Sequence, residues 1–507
     1  MMTIPDSFKW IDKSLEELNA LSEKEKSKLL KKEAVKIRQS IGEAVPTKIF
    51  NKIAENIKQA VSYDIKTVAE TNKIISKFEL TQKKNLVSFI NENPLNISVS
   101  ALGRIAELCN SKRVENAAYF TNKSLITEIV KNIPDVEKKE LNILEPSVGV
   151  GNFIPLILRK FENKKINLDV IDINADSLEI AKLLISKMDI PDNFRINYIN
   201  ADFLLHNENK KYDFVIGNPP FQKSNIESNL LKEYKKNVVN DETNNLCSFF
   251  LEKAISISDY VAMVFPKFLL NTPEFSKTRN FLSKKAIDCI IDFGEKGFKG
   301  VLVETLAIFI NNNTAPNKTK VISITKHLEI NQKQDYIFDE KLPYWIIYRN
   351  SFFDEIYKKL DFGEFSVFRD RQITNAKLNA SNGIRVLKSR NIDDSGTSIL
   401  NLPNYDSYII LDEAKELTVF KYLNSENVFL TPNMTYKPRV IRKPKNCLAN
   451  GSVAILTPKK NLNVSDRQLA YFSTDEYRAF YQIARNYQTR SLNVDSNSVY
   501  FYGLLKN

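Results

Sequence analysis

Three carboxylates stand where apolar, strand-like runs end. "LNILEPS" ends at Glu145, "INLDVIDI" at Asp172, and "FRINYIN" leads into Asp202 and Phe203. Ligands of doubly wound sheets sit at the carboxyl ends of the strands, above all after the first. There this chain has "EPSVGVG", with Glu145, Pro146, Gly149 and Gly151, whose glycines let backbone approach a ligand at a helix N-terminus. Asp172, roughly twenty residues beyond that loop, stands where a carboxylate binds ribose hydroxyls. Asp202 and Phe203 pair an acid with an aromatic suited to an adenine ring. Each acid alone reads more readily as a strand-end cap or turn former, but the three ends together favour an adenosine ligand. The loop lacks the Gly-Lys-Ser/Thr of triphosphate sites and the third glycine of dinucleotide sites. Its acid suits a cation, such as the amino group of S-adenosylmethionine.

A fourth run ends differently. In "YDFVIGNPPFQKS" the strand-like residues Asp213 to Ile216 stop at Gly217, Asn218, Pro219, Pro220 and Phe221. The alternative reading, a turn with a phenylalanine packed beneath it, makes the other three strand ends accidental.

The elements that must position these residues alternate strand with helix from Leu141 onward, which specifies an α/β, doubly wound, mostly parallel sheet. Residues 1–110 read as a helical N-terminal region, dense in charge and without a catalytic cluster. "NNNTAPNKTK", Asn311 to Lys320, reads as an interdomain linker. The expected division is therefore 1–110, a catalytic domain over 111–312, and a C-terminal α+β domain over 321–507.

With 507 residues, 43% hydrophobic and 26% charged, the chain has ample core for two or three domains. A net charge of +12 suits a polyanionic partner such as nucleic acid. The four cysteines include no CxxC pair and there are two histidines, so neither a disulfide framework nor a metal site is expected. The most apolar run, from Tyr260, is broken by Pro266 and Lys267, and the N-terminus is not signal-like. A cytoplasmic protein without a membrane partner is expected.

Taken in order, "AYFTNKSL", "ILEPSVGVGNFI", "VIDINADSL", "INADFL" and "VIGNPPFQ" resemble the gamma class of adenine-N6 DNA methyltransferases of bacterial restriction–modification systems. The resemblance covers roughly residues 110 to 310 and, more loosely, the C-terminal region. It implies an S-adenosylmethionine-dependent methyltransferase sheet, a C-terminal target-recognition domain, and double-stranded DNA with a flipped adenine as substrate. Both N6 hydrogens of adenine would be held by the Asn218 side-chain oxygen and the Pro219 carbonyl. This disfavours the planar amino group and stabilises the more tetrahedral nitrogen that forms during attack on a methyl group. Pro219 and Pro220 would hold the acceptors rigid, and Phe221 would stack on the extruded base. The family pattern also implies a cofactor contact at Thr121, although Asn122 stands where proline is usual. It further implies a base-contacting aromatic at Phe298.

Cytosine-C5 chemistry needs a cysteine nucleophile preceded by proline, and here the cysteines follow Leu108, Leu246, Asp288 and Asn446. Cytosine-N4 enzymes usually begin the tetrapeptide with serine, so adenine is expected. In the C-terminal region Arg439, Arg442, Lys443, Lys445, Arg485 and Arg490 are the candidates for phosphates or base edges. The alternatives are a modification subunit that depends on a separate specificity subunit, an RNA adenine or protein glutamine methyltransferase, and a non-enzymatic DNA-binding module. A separately encoded restriction endonuclease is a partner that only the family implies.

Overall fold

The computed structural model describes residues 67–109, 123–207, 210–221, 228–295, 303–435, 437–460, 462–489 and 493–506. The chain divides into a unit of residues 1–66 with 93–98 and a second unit of residues 67–92 with 99–507. The strands of the central sheet and the helices that pack on them belong to the second unit.

That sheet has nine strands. They are β1 (Glu140–Glu145), β2 (Lys165–Asp172), β3 (Phe194–Asn200), β4 (Tyr212–Gly217), β5 (Ser258–Pro266), β6 (Ala286–Gly294), β7 (Thr305–Asn311), β8 (Lys318–Ser323) and β9 (Leu328–Lys333). Their order is β3-β2-β1-β4-β5-β7-β6-β8-β9. β1 pairs in parallel with β2 and β4, and β2–β3 and β4–β5 are parallel too. β7 inserts antiparallel between β5 and β6. The order of connection reverses between β1 and β4, so the crevice of this sheet lies at their carboxyl ends.

Local sequence explains the elements. β1 and β4 are apolar runs whose later residues are buried, as expected of parallel strands covered on both faces. The helix Ala175–Ile185 starts where the Asn174 side chain accepts the Asp176 and Ser177 amides. Asn245 caps Leu246–Ile257 in the same way. Before the sheet, the helix Val99–Cys109 packs on Ala175–Ile185, and its Glu107 accepts from the Asn152 side chain at 2.6 Å.

The segment read as a linker is a turn inside the sheet. β7 ends at Asn311, β8 begins at Lys318, and β8 lies parallel to β6. A polar stretch containing proline is as suitable for a strand-to-strand turn as for a linker, and composition does not distinguish them.

Beyond β9 the chain divides between two apolar cores. Helices Ser351–Lys359 and Asp475–Ala484 join the core of the large sheet, with Phe353 and Phe480 stacked at 4.8 Å. The second core lies between two small sheets and includes Val386, Leu387, Ile409, Leu430, Leu448 and Ile455. One sheet has the order Phe365–Phe368, Val453–Pro458, Phe429–Pro432, Ile441–Arg442. The other has the order Ser407–Ile409, Ile384–Leu387, Cys447–Ala449. No described helix is long and apolar enough to cross a membrane.

Candidate active site

Parallel pairing brings the expected residues together. β1 and β4 are neighbours, with Leu144 opposite Val215, so the turns that follow them leave the sheet side by side. A Cβ on Gly217 would lie 3.1 Å from Pro146 Cδ, a close approach that suits glycine at this position. Ser147 Oγ donates to the Asn218 carbonyl at 3.1 Å. The loop after β1 and the Asn-Pro-Pro-Phe turn are thus one assembly.

Glu145 is 1% exposed. Its Oε2 has no hydrogen-bond partner among the described residues. Burial pushes its carboxyl well above the ordinary carboxylate range, and the neighbouring Asp172 pushes it the same way. A buried carboxylate so placed is compensated most directly by a cation.

Asp172 closes the loop from the other side. Its Oδ2 accepts the Gly149 amide and its Oδ1 the Asn174 amide, both at 2.8 Å. Burial raises its carboxyl, partly offset by those two N–H groups. Each oxygen retains acceptor capacity. Gly149 has φ +55°, and a Cβ there would meet nothing within 4 Å, so its backbone faces open space.

Other expected contacts have different roles. Gly151 also has positive φ, but a Cβ would press on Ile154 and Ile185 at 3.3 and 3.4 Å. It therefore seats the loop on the core, and ligand contact is not its evident role. Phe203, expected to face an adenine ring, is 2% exposed and packs on Phe250 with ring centroids 5.0 Å apart. The aromatic side chain joined the apolar core because Asp202 turns the chain, its Oδ1 accepting the Leu204 amide at 2.9 Å. The Tyr234 hydroxyl donates to the other Asp202 oxygen at 2.5 Å. Asn218 is partly exposed, Pro219 is buried, and Pro220 is half-buried. Phe221 is 7% exposed, and the Asn245 side chain holds its carbonyl at 2.9 Å. Thr121 and Phe298 lie outside the described residues.

Sequence reasoning missed three residues here. Ile173 follows Asp172 and is 65% exposed, an apolar surface beside the acid whose only signal is its position after the strand. Ser147 lies within the quoted loop, but its partner is 71 residues away. Tyr234 is 32 residues from Asp202 and left no local trace.

In the C-terminal region the structure corrects three of the six expected nucleic-acid contacts. Arg439 is buried, and its guanidinium donates to the Ile392 carbonyl at 3.1 Å. Lys443 is also buried, donating to the Leu423 and Pro444 carbonyls at 2.9 and 2.8 Å. Burial lowers the pKa of both side chains. Their cationic groups are turned to backbone carbonyls, and the Arg439 guanidinium also lies 3.5 Å from Asp394. Arg485 is buried as well. Arg442 is exposed, although it donates to the Val464 carbonyl at 2.8 Å. Lys445 is exposed and ion-paired with Glu426. Arg490 lies outside the described residues. Among the described residues no group of three His, Cys, Asp or Glu side chains could hold a metal.

Comparison with known proteins bears on the same stretch. The chain is 27% identical to the type II methyltransferase M.AccI of Acinetobacter calcoaceticus over 238 residues, 44% of this chain and 42% of that one. It is 26% identical to the type II methyltransferase M.CvrRI of Paramecium bursaria Chlorella virus XZ-6E over 213 residues, 41% of this chain and 51% of that one. The matched stretch thus spans about half the length of these curated relatives. Among solved structures, the DrdV–DNA complex aligns with a TM-score of 0.46 and 14% identity, covering 80% of this chain and 57% of that one. The Eco57I restriction-modification methylase model matches residues 25–298, more than half of the chain, and this stretch contains both the Glu145 loop and the Asn218 turn. The chain belongs to the Eco57I restriction-modification methylase family.

Proposed function

We propose that this protein methylates the N6 amino group of an adenine in double-stranded DNA, with S-adenosylmethionine as methyl donor. One observation carries the reading: Glu145 Oε2 is buried without a partner among the described residues, in the assembly that holds Asn218. An unpartnered carboxylate oxygen fits an ammonium group, and the open backbone at Gly149 and the remaining acceptor capacity of Asp172 fit a ribose. Exposed Ile173 offers an apolar surface for an adenine ring. S-adenosylmethionine bound there supplies an electrophilic methyl group.

The chain's own part is to prepare the nitrogen. The Asn218 side-chain oxygen and the Pro219 carbonyl accept the two amino hydrogens of the target base. This draws the nitrogen towards a tetrahedral geometry and frees its lone pair. Ser147 fixes the Asn218 backbone and Asn245 fixes the Phe221 backbone, so both ends of the tetrapeptide are held before the base arrives. Such preorganisation stabilises charge as it develops without reorganisation at the moment of reaction. A base inside a duplex cannot reach this turn, so it must be flipped out, with Phe221 as its stacking partner.

The residues after β9 complete the reading as a target-recognition region, and modification of a defined sequence would protect host DNA from a cognate endonuclease. The test is transfer of labelled methyl to plasmid DNA by the full-length chain alone, with the modified base identified by mass spectrometry. N6-methyladenine at one motif is expected. Transfer only after a second protein is added would favour a modification subunit, and methylcytosine would overturn the base assignment.

A further inference from the structure

Two basic triplets of the C-terminal region meet at one place in the fold. Arg369-Asp370-Arg371 follows the strand Phe365–Phe368, and Lys388-Ser389-Arg390 follows Ile384–Leu387. The strands belong to different small sheets, but the middle residues of the two triplets touch adjacent residues of one loop. A Cβ on Gly451 would lie 2.6 Å from the Asp370 carbonyl, so only a glycine lets that backbone approach. The Ser389 amide donates to Ser452 Oγ at 3.0 Å.

In each triplet the central residue is turned to structure and the outer residues are cationic. Asp370 is buried, accepting the Ile373 amide at 2.7 Å. Lys388 Nζ and Arg390 Cζ lie 4.0 and 4.8 Å from the centroid of the same Tyr405 ring, which brings two like charges together. Burial and the charge of Arg371 lower the Arg369 guanidinium below its ordinary value, with Asp495 acting the other way. Arg371 and Arg390 are exposed, while Arg369 and Lys388 are half-buried. Among the described residues none of the four forms an ion pair, although many other lysines and arginines of the chain do. Clustered cations that form no ion pair among the described residues suit a polyanion.

The segment after the strand Phe429–Pro432 meets the same loop and carries an exposed apolar side chain. Asn433 donates through its side chain to the Gly451 carbonyl at 3.2 Å, and its amide reaches the Ser452 carbonyl at 2.9 Å. Its neighbour Met434 is 59% exposed, the most exposed large hydrophobic side chain among the described residues after Ile173. Asn433 also donates to the Asn493 side chain at 2.7 Å. An unpartnered methionine beside unpaired cations matches the contacts of a bent duplex, with phosphates gripped at the flanks and an apolar side chain against the base steps.

We propose that Arg369, Arg371, Lys388 and Arg390 grip the phosphates of duplex DNA and that Met434 is the apolar side chain presented to its bases. The surface rests on the methyltransferase reading above and names which residues hold the substrate. The expected basic residues Arg439 and Lys443 are not part of it.

The experiment measures binding of the full-length chain to duplex DNA by fluorescence anisotropy over a range of salt, without cofactor. The double variant Arg371→Ala/Arg390→Ala should lower the slope of log K against log salt by about 1.8, two phosphate contacts at about 0.9 each. Its melting temperature and cofactor affinity should match the parent, since both side chains are exposed. Met434→Ser should leave the slope unchanged and reduce the preference for the modified motif over other duplex. An unchanged slope in the double variant overturns the phosphate grip, and an unchanged preference in Met434→Ser overturns the base contact. Equal affinity for a hairpin RNA at the same salt overturns duplex DNA as the partner. A parent chain with the expected slope but no methyl transfer would sink the activity reading and leave this surface standing.

Discussion

Ser147 and Asn218 stand 71 residues apart in the chain, and a 3.1 Å hydrogen bond from the serine hydroxyl to the asparagine carbonyl joins them. Through it the loop that would hold a cofactor also fixes the backbone of the turn that would hold the base. Ser147→Ala should cost about 1 kcal/mol of stability. Its turnover should fall with cofactor affinity nearly unchanged, because the lost contact fixes the base-holding turn. Isothermal titration beside single-turnover kinetics checks this, and a drop confined to cofactor affinity would place Ser147 on the other ligand.

Asn218→Ala removes the side-chain acceptor itself. Loss of one preorganised group should lower turnover on the order of a hundred-fold or more. Cofactor and duplex affinity should survive. A folded variant with near-normal methylation would reject the role of the tetrapeptide.

The Glu145 carboxyl carries a pH signature. Its pKa is raised in the fold by burial first and by Asp172 second, so the folded state keeps a proton that the unfolded chain has released. The stabilising effect of that proton is complete below the unfolded value and is lost as pH rises through the folded one. Glu145→Gln should therefore gain stability relative to the parent as pH rises, seen as a widening difference in melting temperature in the absence of ligand. An ammonium ligand at this carboxylate should bind more tightly as pH rises and should release protons. Titration calorimetry in buffers of different ionisation enthalpy detects the release, and its absence would place the cation elsewhere.

Lys267 is 2% exposed and pairs with the buried Asp292 at 2.8 Å, just beyond the end of β5. Lys267→Met leaves Asp292 and the neighbouring Glu304 without their cation and should cost roughly 3–5 kcal/mol. Denaturant titration gives the value. A loss below about 1 kcal/mol, the scale of an exposed pair, would mean that water reaches the cluster.

Arg439→Ala should act on the fold, because its guanidinium holds the Ile392 carbonyl. A stability loss of roughly 1–3 kcal/mol is expected. The salt slope of DNA binding should stay at the parent value. A fallen slope without destabilisation would return Arg439 to the DNA surface.

How much of this was visible in the sequence depended on how local each cause was. β1, β2, β4 and their ends could be read because apolar runs and the Gly and Pro residues that stop them lie within a few positions. Glu145, Asp172 and Asn218 follow from that reading, since parallel pairing fixes where strand ends meet. Phe203 was misplaced because an aromatic after a strand can turn either to a crevice or to the core, and Phe250, which decides it, is 47 positions away. Arg439 and Lys443 read as surface charges because charge says nothing of burial, and the Ile392 and Leu423 carbonyls they satisfy come from other loops. The stretch after Asn311 reads as a linker in composition alone, and it is a turn because β8 pairs with β6, a partner that composition cannot name.

The Lys267 cluster also has a history in time. The Thr489 amide donates to Glu304 Oε1 at 3.0 Å across 185 residues, and Gln488 reaches Asn271 across 217. A chain made from its N-terminus at roughly 5–20 residues per second forms the strands around Lys267, Asp292 and Glu304 well before Thr489 emerges. For roughly ten to forty seconds an ion pair destined for burial stands open to water on the ribosome. The surroundings of Lys267 are thus closed only by residues made about 185 positions after Glu304, and a protein interrupted in translation before them carries the tetrapeptide with that cluster still open.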